Sequence, residues 1–146
     1  NGKLAYIYRK NRQDWENMIN EIKNILNLYK PICYVETNGP GNPVFNFLSK
    51  GCSAKLVPIF HHQSNKQNNI ENLILSCNEK RISLPSKELF DTIFNEFSTF
   101  SFEYNKKSRT IKYCAMEGFH DDTVISIALA NQSLMENKNK GKLRIL

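Results

Sequence analysis

Two adjacent aspartates and a histidine have the residue types and the position that metal-dependent chemistry requires. His120, Asp121 and Asp122 directly precede the apolar run 123–130. An Asp ahead of such a run is typical of a helix N-terminus, where its side-chain oxygen accepts hydrogen bonds from unpaired backbone N–H groups. One Asp is enough for that role. The second carboxylate and the histidine are therefore left over as potential ligands.

A third carboxylate, Glu36, follows the continuous apolar run 32–35 and precedes a turn rich in glycine and proline at 37–43. The run is consistent with a strand buried on both faces, and open α/β sheets place their sites at the carboxyl ends of such strands. A solvated glutamate at a strand end is the simpler explanation when Glu36 is considered alone.

Considered together, Glu36, Asp121 and Asp122 favour a metal site. Carboxylates brought together from distant parts of a chain repel one another, and a cation keeps them ionised. Ions such as Mg²⁺ bind through a few carboxylates and keep positions open for water and phosphate oxygens. Two such ions about 4 Å apart activate a water and stabilise the leaving oxygen of a phosphodiester. No G-x-S-x-G elbow for a serine nucleophile is present.

Composition and charge narrow the class of protein. The 146 residues, 40% of them hydrophobic and 23% charged, fit one folded domain with a sizeable core. Lys and Arg number 20 against 14 acidic residues, an excess that favours a polyanionic partner but is also common in proteins that bind no nucleic acid. No apolar run approaches the roughly 20 residues that cross a bilayer. The four scattered cysteines, without a C-x-x-C pair, suit a reducing setting.

The elements that must position the carboxylates alternate between strands and helices. The hydrophobic pattern predicts strands at 4–8, 32–35, 55–60, 100–104 and 110–115, and helices at 15–29, 44–48, 64–77, 89–97 and 122–136. Strand–helix–strand order implies a largely buried sheet with crossover connections. Asn1 and Gly2 predict a hairpin turn before the first strand. Ser64 with Gln67 predicts a capping box, and Asn11 with Asp14 a helix cap.

Two further groups of residues carry weaker signals. His61 and His62 have no third ligand nearby, so a solvated loop explains them better than a metal site. The segment 137–146 predicts either a solvated terminus or an arm that contacts phosphates. Its basic residues are Lys138, Lys140, Lys142 and Arg144.

Several stretches together resemble a known family. Tyr-Val-Glu-Thr-Asn-Gly-Pro-Gly at 34–41, Lys66, Arg-Ile-Ser-Leu-Pro at 81–85 and Gly-Phe-His-Asp-Asp-Thr-Val at 118–124 occur in the order seen in phage terminase large subunits. The resemblance is to their C-terminal nuclease domain, which has a ribonuclease H-like (RuvC-like) fold, and it covers nearly the whole chain. His-Asp-Asp-x-Val is its most specific element, and the strand-ending Glu-x-Asn-x-x-Gly is the second.

The resemblance implies a metal-dependent endonuclease that cuts concatemeric double-stranded viral DNA during packaging, in the host cytoplasm. Its cofactors would be two Mg²⁺ or Mn²⁺ ions. Its partners would be DNA, an ATPase motor domain of the same protein, the portal and the small terminase subunit, with no membrane. Glu36 would be the middle catalytic acid, Asp121 the last metal-binding acid and Asp122 its helper. His120 would orient the acids, and Lys66 would touch phosphate. No Gly-x-x-x-x-Gly-Lys-Ser/Thr loop for ATP is present.

The implied fold class is α/β, a ribonuclease H-like mixed sheet flanked by helices, with residues 1–136 as the nuclease-like domain and 137–146 as a basic tail. The family's first catalytic Asp lies on the central strand, upstream of the hairpin predicted at Asn1 and Gly2. We therefore expect this chain to lack the first strands and that Asp. Another polypeptide segment would then complete the sheet, and the activity of the chain alone is in question.

Two alternatives fit the same residues. One is another ribonuclease H-like nuclease, related to resolvases or transposases. The other is a non-catalytic DNA-binding or capsid-assembly module, in which the aspartates only cap a helix. In that case Asp121→Ala would cost about 1 kcal/mol as a lost cap and leave DNA transactions unchanged.

Overall fold

The computed structural model describes residues 2–10, 12–60, 62–87 and 90–137. Within these ranges the elements are β1 (Gly2–Lys3), α1 (Trp15–Tyr29), β2 (Ile32–Glu36), α2 (Gly41–Ser49), β3 (Lys55–Ile59), α3 (Gln63–Asn78), β4 (Ile82–Ser83), α4 (Asp91–Ser98), β5 (Phe100–Asn105), β6 (Thr110–Ala115) and α5 (Asp122–Glu136). The chain forms two compact units. Ala5–His61 with Ser133–Leu146 is here called the Glu36 unit, and Asn1–Leu4 with His62–Gln132 the Asp121 unit.

In the Glu36 unit, a well-defined amphipathic helix covers a parallel strand pair. Asp14 caps α1 by accepting a hydrogen bond from the Asn17 N–H at 3.1 Å. The helix ends at Lys30, whose left-handed backbone donates to the Leu26 carbonyl before Pro31. The strands β2 and β3 pair in parallel from Ile32↔Lys55 to Glu36↔Ile59. The core of the unit consists of Ile19, Leu26, Cys33 and Leu48.

In the Asp121 unit, β5 and β6 form an antiparallel hairpin that contacts α3. The Asn105 side chain accepts hydrogen bonds from the N–H groups of Lys107 and Ser108, and these bonds fix the hairpin turn. The helix α5 has buried residues on more than one face, among them Val124 and Leu129. Burial on more than one face indicates that other parts of the chain cover this helix.

The predicted first strand is wrong. Residues 4–8 form no strand; β1 is Gly2–Lys3 and pairs in parallel with β4. Side-chain contacts explain this result, because the Tyr6 ring lies 6.4 Å from that of Tyr29 and the Tyr8 hydroxyl donates to Gln13. These contacts join the segment to α1 and its start. Asn1, part of the predicted hairpin turn, lies outside the described residues, as does Asn11.

Two further details differ from the sequence predictions. The predicted capping box is wrong, because α3 begins at Gln63, one residue before Ser64, and the Gln67 amide donates to Glu71 on the next turn. The strands of the described residues also form three separate two-stranded sheets rather than one continuous sheet. The short strand β4 is not predicted from the sequence, and the remaining helices and strands lie where the hydrophobic pattern predicts them, to within a few residues.

Candidate active site

The two adjacent aspartates lie at the start of α5, as the sequence predicts. Asp122 is the first helical residue, and the Asp121 carbonyl accepts a hydrogen bond from the Ile125 N–H at 2.9 Å. Both residues therefore lie at the positive end of the helix dipole, a position that suits negatively charged side chains. The Asp121 side chain is partly buried, and Asp122 is exposed.

The carboxylate that caps this helix end is one that sequence reasoning missed. Glu96 of α4 is only 6% exposed, and its Oε2 atom accepts from the Thr123 N–H at 2.7 Å and from the Thr123 hydroxyl at 2.6 Å. A capping Asp121 side chain would commonly accept from this same N–H group. The available signal was the position of Glu96 three residues after Ile93, on the buried stripe of α4. A glutamate on such a stripe needs a buried partner.

The Asp121 carboxylate faces a lysine from a distant part of the sequence. The Lys66 ammonium lies 2.9 Å from Asp121 Oδ2, and the two side chains are 31% and 27% exposed. Lys66 is in the first turn of α3, where its N–H donates to the His62 carbonyl. The family resemblance implies that Lys66 touches a substrate phosphate. The structure shows its ammonium on the carboxylate predicted to bind metal.

A tight turn leads from β6 into this helix start. The Phe119 N–H donates to the Met116 carbonyl at 3.0 Å, and Gly118 between them has a φ of +82°, in the left-handed region. Glycine adopts this conformation without the steric cost of a Cβ atom. His120 follows the turn and is exposed. Its predicted role in orienting the acids stays a prediction.

Glu36 lies at the carboxyl end of β2, as predicted, and is half-buried. The next residue, Thr37, donates both its N–H and its hydroxyl to the Ile59 carbonyl. The start of α2 lies close to the Glu36 backbone, because a Cβ atom on Gly41 would lie 2.0 Å from the Glu36 carbonyl oxygen. Only glycine therefore fits at position 41 with this backbone, and the glycine-rich turn fixes where the Glu36 side chain begins.

The structure brings together some of the predicted site residues. Lys66 and Asp121 are in contact, and His120 and Asp122 flank Asp121. Glu36 belongs to the other unit, so its predicted approach to Asp121 stays a prediction. Among the described residues, no three His, Cys, Asp or Glu side chains form a group that could hold a metal ion.

Other sequence predictions concern residues at the margins of the described chain. His61 and the four basic tail residues, Lys138, Lys140, Lys142 and Arg144, lie outside the described residues. His62 precedes α3 and is exposed. No helix of the described residues is long and apolar enough to cross a membrane.

A comparison with solved structures identifies the fold. The chain is similar to the crystal structure of the large terminase nuclease from the thermophilic phage G20c, with a TM-score of 0.70 and 23% sequence identity over 85% of this chain. The chain has the fold of a terminase nuclease. This confirms the α/β, ribonuclease H-like class expected from the sequence. The chain spans 64% of the length of the G20c nuclease. No protein-family model and no curated protein matches it.

Proposed function

We propose that this chain is the metal-dependent endonuclease domain of a viral terminase and cuts concatemeric double-stranded DNA during packaging. The observation that carries the proposal is the division of roles at the start of α5. Glu96 accepts from the Thr123 N–H, and Asp121 instead faces a cation, the Lys66 ammonium. The similarity of the fold to the G20c nuclease supports the same function.

The donor set of the proposed site fits a hard divalent cation. Glu36, Asp121 and Asp122 supply carboxylate oxygens only, which are the ligands that Mg²⁺ and Mn²⁺ prefer. The Asp121 carboxylate is paired with a cation in this structure, the Lys66 ammonium 2.9 Å away, which a metal ion would have to displace. Bound ions of this kind would activate a water and stabilise the leaving oxygen of the phosphodiester.

Each residue has a separate role in this proposal. The three carboxylates would hold the ions, and the exposed His120 would help to orient the carboxylates. Lys66 pairs with Asp121 in this structure, and its ammonium would contact a phosphate oxygen of the substrate when ions take its place. The glycine at position 41 fixes the backbone from which Glu36 extends.

The β5–β6 hairpin offers a surface for the DNA backbone. Three basic residues at its tip, Lys106, Lys107 and Arg109, are all exposed within four positions of the chain. Such a group binds phosphates without reading the sequence of the DNA. The proposal also includes the partners implied by the family resemblance: an ATPase motor domain, the portal and the small terminase subunit, in the host cytoplasm.

The direct test is Mn²⁺ binding together with DNA cleavage by the 146-residue chain and two variants, Asp121→Asn and Glu36→Gln. At an Mn²⁺ concentration one hundred times the Kd, binding stabilises the folded chain by about 2.7 kcal/mol. We expect that gain in thermal unfolding of the parent chain and its loss in both variants. We also expect both variants to lose any metal-dependent nicking of supercoiled plasmid that the parent chain shows.

The matched control for these variants is Glu103→Gln, which removes an exposed carboxylate on the hairpin. It should keep the full stabilisation by Mn²⁺. Equal Mn²⁺ stabilisation of the parent chain and of Asp121→Asn would show that the start of α5 is not a metal site. Preferential cutting of four-way junctions over linear duplex would instead favour the resolvase alternative.

A further inference from the structure

The turn Met116–Phe119, between β6 and α5, presents two large apolar side chains to solvent. Met116 and Phe119 are each 56% exposed. They lie at the two ends of the turn that the Phe119 N–H closes on the Met116 carbonyl. Phe119 is two residues before Asp121, so this apolar pair adjoins the proposed metal site.

The backbone holds this turn on both sides. The Met116 N–H donates to the Thr99 carbonyl at 3.0 Å, and the Thr123 N–H donates to Glu96 at 2.7 Å. The apolar side chains are therefore displayed by an anchored segment. Apolar side chains held in this way next to a proposed metal site are available to contact a bound substrate.

The length of the β5–β6 hairpin sets the distance between this turn and the basic residues at the hairpin tip. The β5–β6 ladder runs from Phe100↔Ala115 to Asn105↔Thr110, five residue steps, which is about 17 Å at the usual rise of a strand. Duplex DNA rises 3.4 Å per base pair, so this length is about five base pairs. A duplex that lies along the hairpin, with its phosphates on Lys106, Lys107 and Arg109 at the tip, therefore has base pairs beside Met116 and Phe119 about five base pairs further on.

We infer that Met116 and Phe119 form an apolar wedge that inserts into duplex DNA and unstacks a base step beside the phosphodiester to be cut. The inference rests on the proposed nuclease function and adds how the substrate is deformed there. Phe and Met side chains that enter a base step in this way kink the duplex. The kink exposes the phosphate next to Asp121, and it needs no particular base sequence.

The test uses a duplex of 30 base pairs that contains 2-aminopurine, with Ca²⁺ in place of Mn²⁺ so that the DNA stays intact. Unstacking raises 2-aminopurine fluorescence, and a set of duplexes with the probe at successive positions locates it. We expect the parent chain to raise the fluorescence at one or two adjacent positions. The double variant Met116→Ala/Phe119→Ala should lose this rise and bind the duplex roughly 5- to 150-fold more weakly, the range for loss of one base–aromatic stack.

Two controls separate the wedge from general apolar contact and from misfolding. Phe94→Ala removes a 49% exposed phenylalanine from α4 of the same unit and should leave the fluorescence rise unchanged. A duplex with two mismatched base pairs at the probe position is already unstacked, so the parent chain should bind it more tightly than the matched duplex, whereas the double variant, which inserts no wedge, should bind the two duplexes equally. A misfolded variant would bind neither duplex.

The outcomes distinguish the wedge from the proposed function. A parent chain that binds DNA without a fluorescence rise, or a double variant with an equal rise, overturns the wedge. A parent chain that binds no duplex overturns the proposed function, and the wedge with it.

Discussion

Replacement of Glu96 by alanine tests how the start of α5 is held. The change removes the acceptor of two hydrogen bonds, from the Thr123 N–H at 2.7 Å and from the Thr123 hydroxyl at 2.6 Å. A lost cap costs about 0.5–2 kcal/mol, and the low exposure of both residues moves this cost to the upper part of the range. The lost hydroxyl bond adds about 0.5–1.5 kcal/mol. We therefore expect the free energy of unfolding to fall by about 2–3 kcal/mol.

The assay is urea denaturation, with thermal unfolding as a second measurement. For a chain of this size the same loss lowers Tm by roughly 4–12 °C. Thr123→Val keeps the N–H bond and should cost only about 1 kcal/mol. In the double variant the two losses should be less than additive, because both changes remove the same hydroxyl bond.

The control is Glu103→Ala, which replaces the same residue type at an exposed position and should change stability by less than about 0.5 kcal/mol. The reasoning is refuted if Glu96→Ala is as stable as Glu103→Ala. Because Asp121 and Asp122 lie at the same helix start, the destabilised variant should also gain less stability from Mn²⁺ than the parent chain does.

Three other perturbations have expected outcomes. Lys66→Gln removes an ammonium that a metal ion must displace from Asp121. An ion pair of this kind contributes about 0.2–1 kcal/mol, so Mn²⁺ should bind about 1.4- to 5-fold more tightly by calorimetry. Weaker Mn²⁺ binding would show that Lys66 and the metal do not compete for Asp121. Burial raises the pKa of the Cys33 thiol from 9.0 to about 11. The unfolded chain therefore loses this proton first, and stability that is complete below pH 9 should fall by on the order of 3 kcal/mol as the pH rises to about 11. The Cys33→Ala variant should lack this part of the decline in denaturation at each pH. Gly41→Ala should destabilise the chain more than Gly39→Ala in thermal unfolding, because its Cβ would lie 2.0 Å from the carbonyl oxygen that ends β2. The Cβ of Gly39→Ala meets nothing within 4 Å, and its left-handed backbone costs only about 1–2 kcal/mol; equal losses would contradict this.

Most elements of the fold are predictable because their signals are local. The apolar stripe of 15–29, with Asp14 before it and Pro31 after it, specifies α1 without reference to the rest of the chain. The segment 4–8 shows the limit of such signals. Its apolar and aromatic residues favour a strand, but Tyr6 and Tyr8 make contacts with α1 and its start, and the hydrophobic pattern does not contain these partners.

The sequence by itself determined which side chains carry the proposed chemistry and on which kind of element they lie. A carboxylate after an apolar strand and two before an apolar helix are local patterns, and the structure has Glu36 and the Asp pair at those positions. The tertiary structure decided which carboxylate caps α5 and what Asp121 faces. Glu96 is 27 residues from Thr123, and Lys66 is 55 residues from Asp121. Local propensities do not couple residues so far apart, and only the packing of α3 and α4 near the start of α5 brings them into contact.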